Sequence, residues 1–228
     1  MSRKFSVALS LALAAGSLSA HAQSELTDKQ KFSYSVGFQV GQQLHQRMQS
    51  ASDLDLDASA FAQAIEAVFA GEDPALSIEE MQAILQADQS RRQEEQAAMA
   101  EKNQQRGDAF RTANKEKDGV VETNTGLQYR EITAGSGRKP TVDDTVVVHY
   151  HGTFVDGNVF DSSYDRGEPA TFTVGGIIKG WQEVLPLMSE GAKWNVVIPA
   201  DLAYGQNGAG RIGPNETLVF DIELIEIK

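Results

Sequence analysis

The sequence predicts an α+β protein with an N-terminal all-α dimerisation region, a long linking helix, and a C-terminal antiparallel sheet wrapped around a short helix. Three observations carry this. Apolar residues recur at helical spacing up to Leu85. From Ser77 to Lys117 there is no proline, and Gly107 is the only glycine. Beyond Asp118-Gly119 come runs rich in Val, Ile, Thr, Phe and Tyr, separated by glycine-bearing turns.

Composition narrows the class. Of 228 residues, 41% are hydrophobic and 23% charged, a balance that fits a soluble globular protein. The formal net charge is -12, with no basic stripe, which argues against a nucleic-acid partner. With no cysteine there is no disulfide, thiolate nucleophile or thiolate metal site. The histidines are His21, His45, His149 and His151. The last two alternate along one expected strand, where strand packing outweighs a metal pair, so neither a metal nor a cofactor is expected.

The first segment reads as an export signal. Arg3 and Lys4 precede an apolar run from Phe5 to Ala15, too short to span a bilayer. Ala20-His21-Ala22 is a small-residue cleavage pattern, which makes 1–22 the signal and Gln23 the first mature residue. No other stretch is long and apolar enough for a membrane span. The expected location is the periplasm, with outer-membrane or cell-surface association as the alternative.

Residues 23–76 form the expected helical dimerisation domain. A helix from Thr27 to Gln49 is capped by Thr27 and Gln30 and carries Phe32, Val36, Val40 and Leu44 on one side. Gly37 and Gly41 share a face, where glycine costs about 1 kcal/mol against alanine. That cost predicts close approach by another helix. A second helix runs from Asp57 to Ala70, with Phe61, Ile65, Val68 and Phe69 on its apolar face and Gly71 as its stop. Three short helical faces make a thin core for so few residues, which motivates a homodimer.

Residues 77–118 form the expected connecting helix. Ser77 and Glu80 make a capping box, and Ile78, Met81, Ile84 and Leu85 mark its apolar start. From Gln93 to Arg106 the sequence is nearly all Gln, Glu, Ala, Lys and Arg. A helix polar all round reads as a solvated spacer.

Residues 119–228 read as the α+β domain. Strands are expected over Gly126–Thr133, Thr145–Val155, Ala170–Val174, Ala192–Ile198 and Thr217–Ile227. Asp156-Gly157 is a hairpin signal. Only Gly180 to Met188 looks helical, and Pro186 shortens or distorts it.

The stretch from Val159 to Met188 sets large apolar residues (Phe160, Phe172, Ile177, Ile178, Trp181) around Asp161 and Arg166. Such a composition fits a ligand pocket. It also fits an ordinary core with charges snorkelling outward. No serine elbow, phosphate loop or His-Glu metal helix is present.

From about Gly126 to Lys228 the chain resembles the FKBP-type peptidyl-prolyl cis-trans isomerases. The resemblance rests on Val148-His-Tyr150-His-Gly152, Gly157-Asn-Val-Phe160-Asp-Ser-Ser163, Asp165-Arg166-Gly167, Ile177-Ile-Lys-Gly-Trp181, Met188, Pro199-Ala-Asp-Leu-Ala-Tyr-Gly205 and Thr217-Leu-Val-Phe-Asp-Ile-Glu223. The helical half resembles the macrophage infectivity potentiator (Mip) and FkpA subgroup in layout.

This resemblance implies a catalytic group of Asp161, Tyr204, Trp181, Ile178 and Phe160. It implies substrate-binding roles for Tyr150, Arg166, Phe172, Ile177, Ile212 and Phe220. Trp181 would form the floor, the Ile178 N–H would donate to a substrate carbonyl, and Arg166 would hold Asp161 and Tyr204. The implied partners are proline-containing unfolded or nascent exported proteins, and a macrolide (FK506/rapamycin-type) inhibitor. Ala170 and Ala209 stand where the cytosolic relatives commonly carry phenylalanine and histidine.

The chemistry agrees with this reading. Rotation about X-Pro meets a barrier of about 18–20 kcal/mol from amide resonance and breaks no bond. No nucleophile is needed. The alternative function is a dimeric chaperone that holds clients on its helical arms, with isomerisation secondary.

Overall fold

The computed structural model of the chain describes residues 26–50 and 56–228. The expected export signal lies outside the described residues. The chain divides into two compact units between Ala75 and Leu76.

The first unit contains helices α1 (Asp28–Ser50) and α2 (Ala58–Ala70). Local chemistry sets their ends. The Gln30 N–H donates to Thr27 Oγ1 at 3.3 Å, while the Thr27 N–H donates to Gln30 Oε1 at 2.9 Å. Asp57 accepts from the Ala60 N–H at 2.8 Å, and Gly71 closes α2 with φ of 71°. The apolar faces are real but uncovered: Phe32, Val40, Val68 and Phe69 are all exposed. An atom added as Cβ at Gly37 or Gly41 would meet nothing within 4 Å, so among the described residues no helix makes the expected close approach.

The second unit begins with α3 (Ile78–Asn114), 37 residues long. Its capping box forms as expected, with both Ser77–Glu80 bonds present. The expected solvated spacer is corrected at its C-terminal end. Asn103, Gly107 and Asn114 are buried against the sheet domain. Asn103 Nδ2 donates to the Pro214 carbonyl at 2.9 Å, and Asn114 Nδ2 donates to Gln128 Oε1 at 2.9 Å. A Cβ at Gly107 would lie 2.2 Å from Thr217 Oγ1. The docking is polar and close-packed, so hydrophobic periodicity gave no sign of it.

The sheet comprises β1 (Val121–Glu122), β2 (Gln128–Thr133), β3 (Thr145–Phe154), β4 (Val159–Ser162), β5 (Ala170–Thr173), β6 (Lys193–Ile198) and β7 (Leu218–Ile227). Its order is β1-β2-β6-β7-β3-β4, with β5 also pairing β3, and all pairings are antiparallel. Strands β1 and β4, of two and four residues, escape the sequence reading. A single turn, α4 (Ser163–Arg166), follows β4.

The crossing helix α5 (Lys179–Val184) is continued by a 3₁₀ turn over Leu185–Leu187, in whose first turn Pro186 sits. Proline is tolerated there because first-turn N–H groups have no helical acceptor. Trp181, Val184 and Leu185 pack into a core with Val146, Val148, Val196, Ile198, Leu218 and Ile222. Strand β7 shows the cause: Leu218, Phe220, Ile222 and Leu224 are buried, while Asp221 and Glu223 face outward.

Substituting Gly107→Val should destabilise the second unit despite valine's better helix propensity. Overpacking against the buried, β-branched Thr217 should cost about 1–3 kcal/mol, seen as a lower Tm in calorimetry. An unchanged or raised Tm would contradict the close contact.

Candidate active site

The expected pocket residues converge from separate elements. A cavity of about 470 Å³ is lined by Tyr150 of β3, Phe160 and Asp161 of β4, Phe172 of β5, Ile177 and Ile178 before α5, Trp181 of α5, Tyr204, and Phe220 of β7. Gly176 also lines it and was missed, having no side chain to signal a role.

Trp181 is 4% exposed and forms the floor. Its indole is boxed by Tyr150, Phe172 and Phe220 at centroid distances of 5.4, 5.8 and 5.3 Å. The interplanar angles are 86°, 85° and 82°. Edge-to-face contacts match the positive ring edge to the negative face and fix the indole plane. Gly152 makes room for the walls: a Cβ there would lie 2.7 Å from Phe160 Cζ and 2.9 Å from Phe220 Cε1.

The polar wall is a closed ring of three side chains. Tyr150 donates its hydroxyl proton to Asp161 Oδ2. Arg166 donates from Nη1 to Asp161 Oδ1 and from Nη2 to the Tyr150 hydroxyl, the latter at 2.8 Å. Burial alone would raise the Asp161 carboxyl, but hydrogen bonds from Tyr150 and Arg166 outweigh it and hold the group below its ordinary value. Burial, and then the hydrogen bond to Asp161, pushes the Tyr150 phenol upward, so it stays protonated.

Two expectations are corrected. Arg166 reaches Tyr150 rather than Tyr204, and it does not line the cavity. Its position directly after β4, on the one-turn α4, aims it back at β3. Ile212 packs against the core but is not in the cavity lining. A local pairing with Ala209, through N–H···O=C bonds of 2.9 Å each way, holds the Ile212 backbone within its own loop.

Supporting residues were not legible in advance. The Gln182 amide donates to the Ile177 carbonyl at 2.7 Å and fixes the wall ahead of α5. The buried Ser163 hydroxyl accepts from the Tyr150 N–H at 2.8 Å and donates to the Tyr150 carbonyl at 3.1 Å. His149 Nδ1 lies 2.9 Å from the same hydroxyl, and its ring stacks on Tyr164 at 4.5 Å, so this histidine serves packing. Among the described residues, no group of three or more histidine and carboxylate side chains converges as a metal site would.

A family model described as FKBP-type peptidyl-prolyl cis-trans isomerase matches residues 136–225. A second, described as the domain amino terminal to FKBP-type peptidyl-prolyl isomerase, matches residues 29–130. The outer membrane protein MIP of Legionella longbeachae is 42% identical over 225 residues, covering 96% of this chain and 94% of the relative. The chain belongs to the FKBP-type peptidyl-prolyl cis-trans isomerases. The FKBP-type 22 kDa isomerase of Escherichia coli is 46% identical over 202 residues, covering 86% of this chain and 93% of that one. The crystal structure of FkpA from Escherichia coli superposes with a TM-score of 0.63 at 38% identity, covering 89% of this chain and 97% of that one. The similarity to Mip and FkpA relatives thus extends through the helical half of this FKBP-type chain.

The depressed Asp161 value sets a pH dependence. A carboxyl lowered in the folded state contributes stability above its unfolded pKa of about 3.9, and loses it as pH falls through the folded value. The Tm difference between the parent protein and Asp161→Asn should therefore be constant from pH 8 to 5 and shrink below about pH 4. A difference independent of pH down to 2 would show that the carboxylate is not held by the ring.

Proposed function

We propose that the cavity over Trp181 is where this isomerase accelerates X-Pro rotation. The observation that carries the reading is a cavity with an aromatic floor and a single, fully engaged carboxylate on its wall. The planar amide is polar because resonance places charge on its oxygen. The twisted amide has lost that resonance and is less polar. A dry apolar cavity therefore favours the twisted state, and a preference for the transition state over the ground state is catalysis.

Each side chain has a role in this scheme. Trp181 supports the prolyl ring, while Phe160, Phe172, Ile177 and Phe220 exclude water around it. Asp161 is turned toward Tyr150 and Arg166, so its charge is spent within the wall and does not attract water into the cavity. Ile178 is the N-cap of α5. Its N–H precedes the helical hydrogen-bond ladder and can donate to a substrate carbonyl, as Tyr204 can from the cavity rim. Arg166 acts as a positioning residue for Asp161 and Tyr150.

The wider organisation is part of the same proposal. Residues 1–22 direct export to the periplasm, with outer-membrane or surface association as an alternative. Residues 23–76 pair with a second copy, 77–118 link, and 119–228 catalyse. The pairing is supported by exposed Phe32, Val36, Val40, Phe61, Val68 and Phe69, which a second copy would cover. No described helix is long and apolar enough to cross a membrane. Clients are proline-containing unfolded exported proteins, and the apolar lining of the cavity suits part of a macrolide inhibitor. Family membership favours isomerisation over the chaperone reading.

A protease-coupled assay on a proline tetrapeptide should show catalysis that falls at least tenfold in Trp181→Ala, about 1.4 kcal/mol of transition-state stabilisation. Full activity in Trp181→Ala would remove the cavity from the mechanism. In sedimentation, the parent protein should run as a dimer and Phe32→Glu/Phe69→Glu as a monomer. A monomeric parent at micromolar concentration would end the pairing proposal.

A further inference from the structure

A second recess lies on the other side of the Tyr204 loop. Between α3 and the segment from Pro199 to Thr217 are two cavities, of about 460 Å³ and about 180 Å³. They share Gln104, Gln206 and Asn215, and where they meet Asn215 Nδ2 donates to Gln104 Oε1 at 3.4 Å, so they form a trough in two parts. Its helix wall is a single stripe: Gln93, Gln96, Ala100, Gln104, Asp108 and Arg111. These residues step by three and four along α3, as one face of a helix must. From Gln93 to Arg111 the stripe runs about 27 Å at ~1.5 Å per residue. The facing wall carries Gln206, Asn207 and Asn215.

The chemistry of this trough is unlike that of the prolyl cavity. Each wall carries three primary amides, Gln93, Gln96 and Gln104 facing Gln206, Asn207 and Asn215, and an amide both donates and accepts hydrogen bonds. A peptide unit offers the same pair of groups at every residue. Amide-lined walls can therefore hold an extended backbone whatever its side chains. Between its amides the helix contributes Ala97, Ala100 and Glu101, and the two alanines leave room for a chain to lie close. Carboxylates at Glu101, Asp108 and Asp201 make the trough unfavourable for a nucleic-acid backbone.

The trough is also built to hold its shape. Asn103 bonds the Pro214 carbonyl, and Arg106 Nη2 lies 3.1 Å from Glu216 Oε1, fixing the loop to α3. The Asn215 N–H donates to the Gly205 carbonyl at 2.9 Å and ties the two stems of the loop together. A preformed recess loses less entropy on binding. The loop is common to both sites: Tyr204 lines the prolyl cavity and Gln206, two residues on, lines the trough.

We propose that this trough is a second substrate subsite, which takes the extended backbone flanking the proline of an unfolded client. Its larger part, from Gln93 to Gln104, spans about 16 Å and at ~3.3 Å per residue accommodates about five residues. A short peptide held in the prolyl cavity would not reach along it. The subsite rests on the isomerase reading above and deepens it, by assigning α3 a direct role in binding long substrates.

The test compares two substrates on full-length protein: a proline tetrapeptide, and an unfolded protein whose refolding is limited by prolyl isomerisation. Ala97→Trp fills the trough from an exposed helix position. Gln93→Ala/Gln96→Ala removes two amides and raises helix propensity, so the fold is retained. Both variants should keep tetrapeptide kcat/KM within about twofold while raising KM for the unfolded protein about fivefold or more at unchanged kcat, the signature of lost uniform binding. Unchanged KM for the unfolded protein in both variants overturns the subsite. An equal loss on both substrates also overturns it, assigning α3 to support of the prolyl cavity instead. Absence of tetrapeptide turnover by the parent protein overturns the isomerase reading itself, and the subsite with it.

Discussion

The constraint on which the rest of the site depends is the placement of Tyr150. Its backbone is gripped on both sides by one buried hydroxyl, that of Ser163, which accepts its N–H and donates to its carbonyl. Its ring stands edge-on to Trp181, so the indole cannot tilt without moving β3. Its phenol is shared between Asp161 and Arg166. One residue therefore couples the core, the cavity floor and the polar wall. Any shift of β3 against α5 would disturb all three together.

That coupling explains how a charged group can stand beside an apolar cavity without spoiling it. A carboxylate left unpaired there would carry its hydration shell into the site or take up a proton. At Asp161, Tyr150 and Arg166 bond both oxygens and hold the group ionised, while its half-exposed side chain meets solvent away from the ring. The wall is rigid and its dipoles point inward along the ring rather than toward the substrate. In the proposed scheme the environment of the reacting amide is then set chiefly by aromatic faces and aliphatic surface. Such a setting favours a twisted amide, which has lost the charge separation that water would solvate.

The helix α3 belongs to this account as much as the sheet does. Its C-terminal turns join the catalytic unit through Asn103, Gly107 and Asn114, and the contact at Thr217 lies at the entry to β7. The Tyr204 loop is held from behind by the same helix. Docking built from amides and a glycine is specific in geometry and leaves little apolar signature. It resembles a buried polar network, in which every donor must find its acceptor, more than a hydrophobic seam.

Much was determined by the sequence alone. The helix caps at Thr27, Asp57 and Ser77, the stop at Gly71, five of the seven strands and the short helix bearing Trp181 are local consequences of residue type and spacing. The ordered motifs around Tyr150, Phe160, Trp181, Tyr204 and Phe220 identified the family. The tertiary structure alone decided which polar groups meet. Arg166 turned to Tyr150 instead of Tyr204, Ile212 stayed with its own loop, and Gln182 and Ser163 acquired supporting roles. It also decided that the charged end of α3 docks rather than spans solvent. The reason is physical: hydrophobic periodicity reports what must leave water, whereas hydrogen-bond partners between distant segments are chosen by angle and distance. Those exist only once the chain has folded.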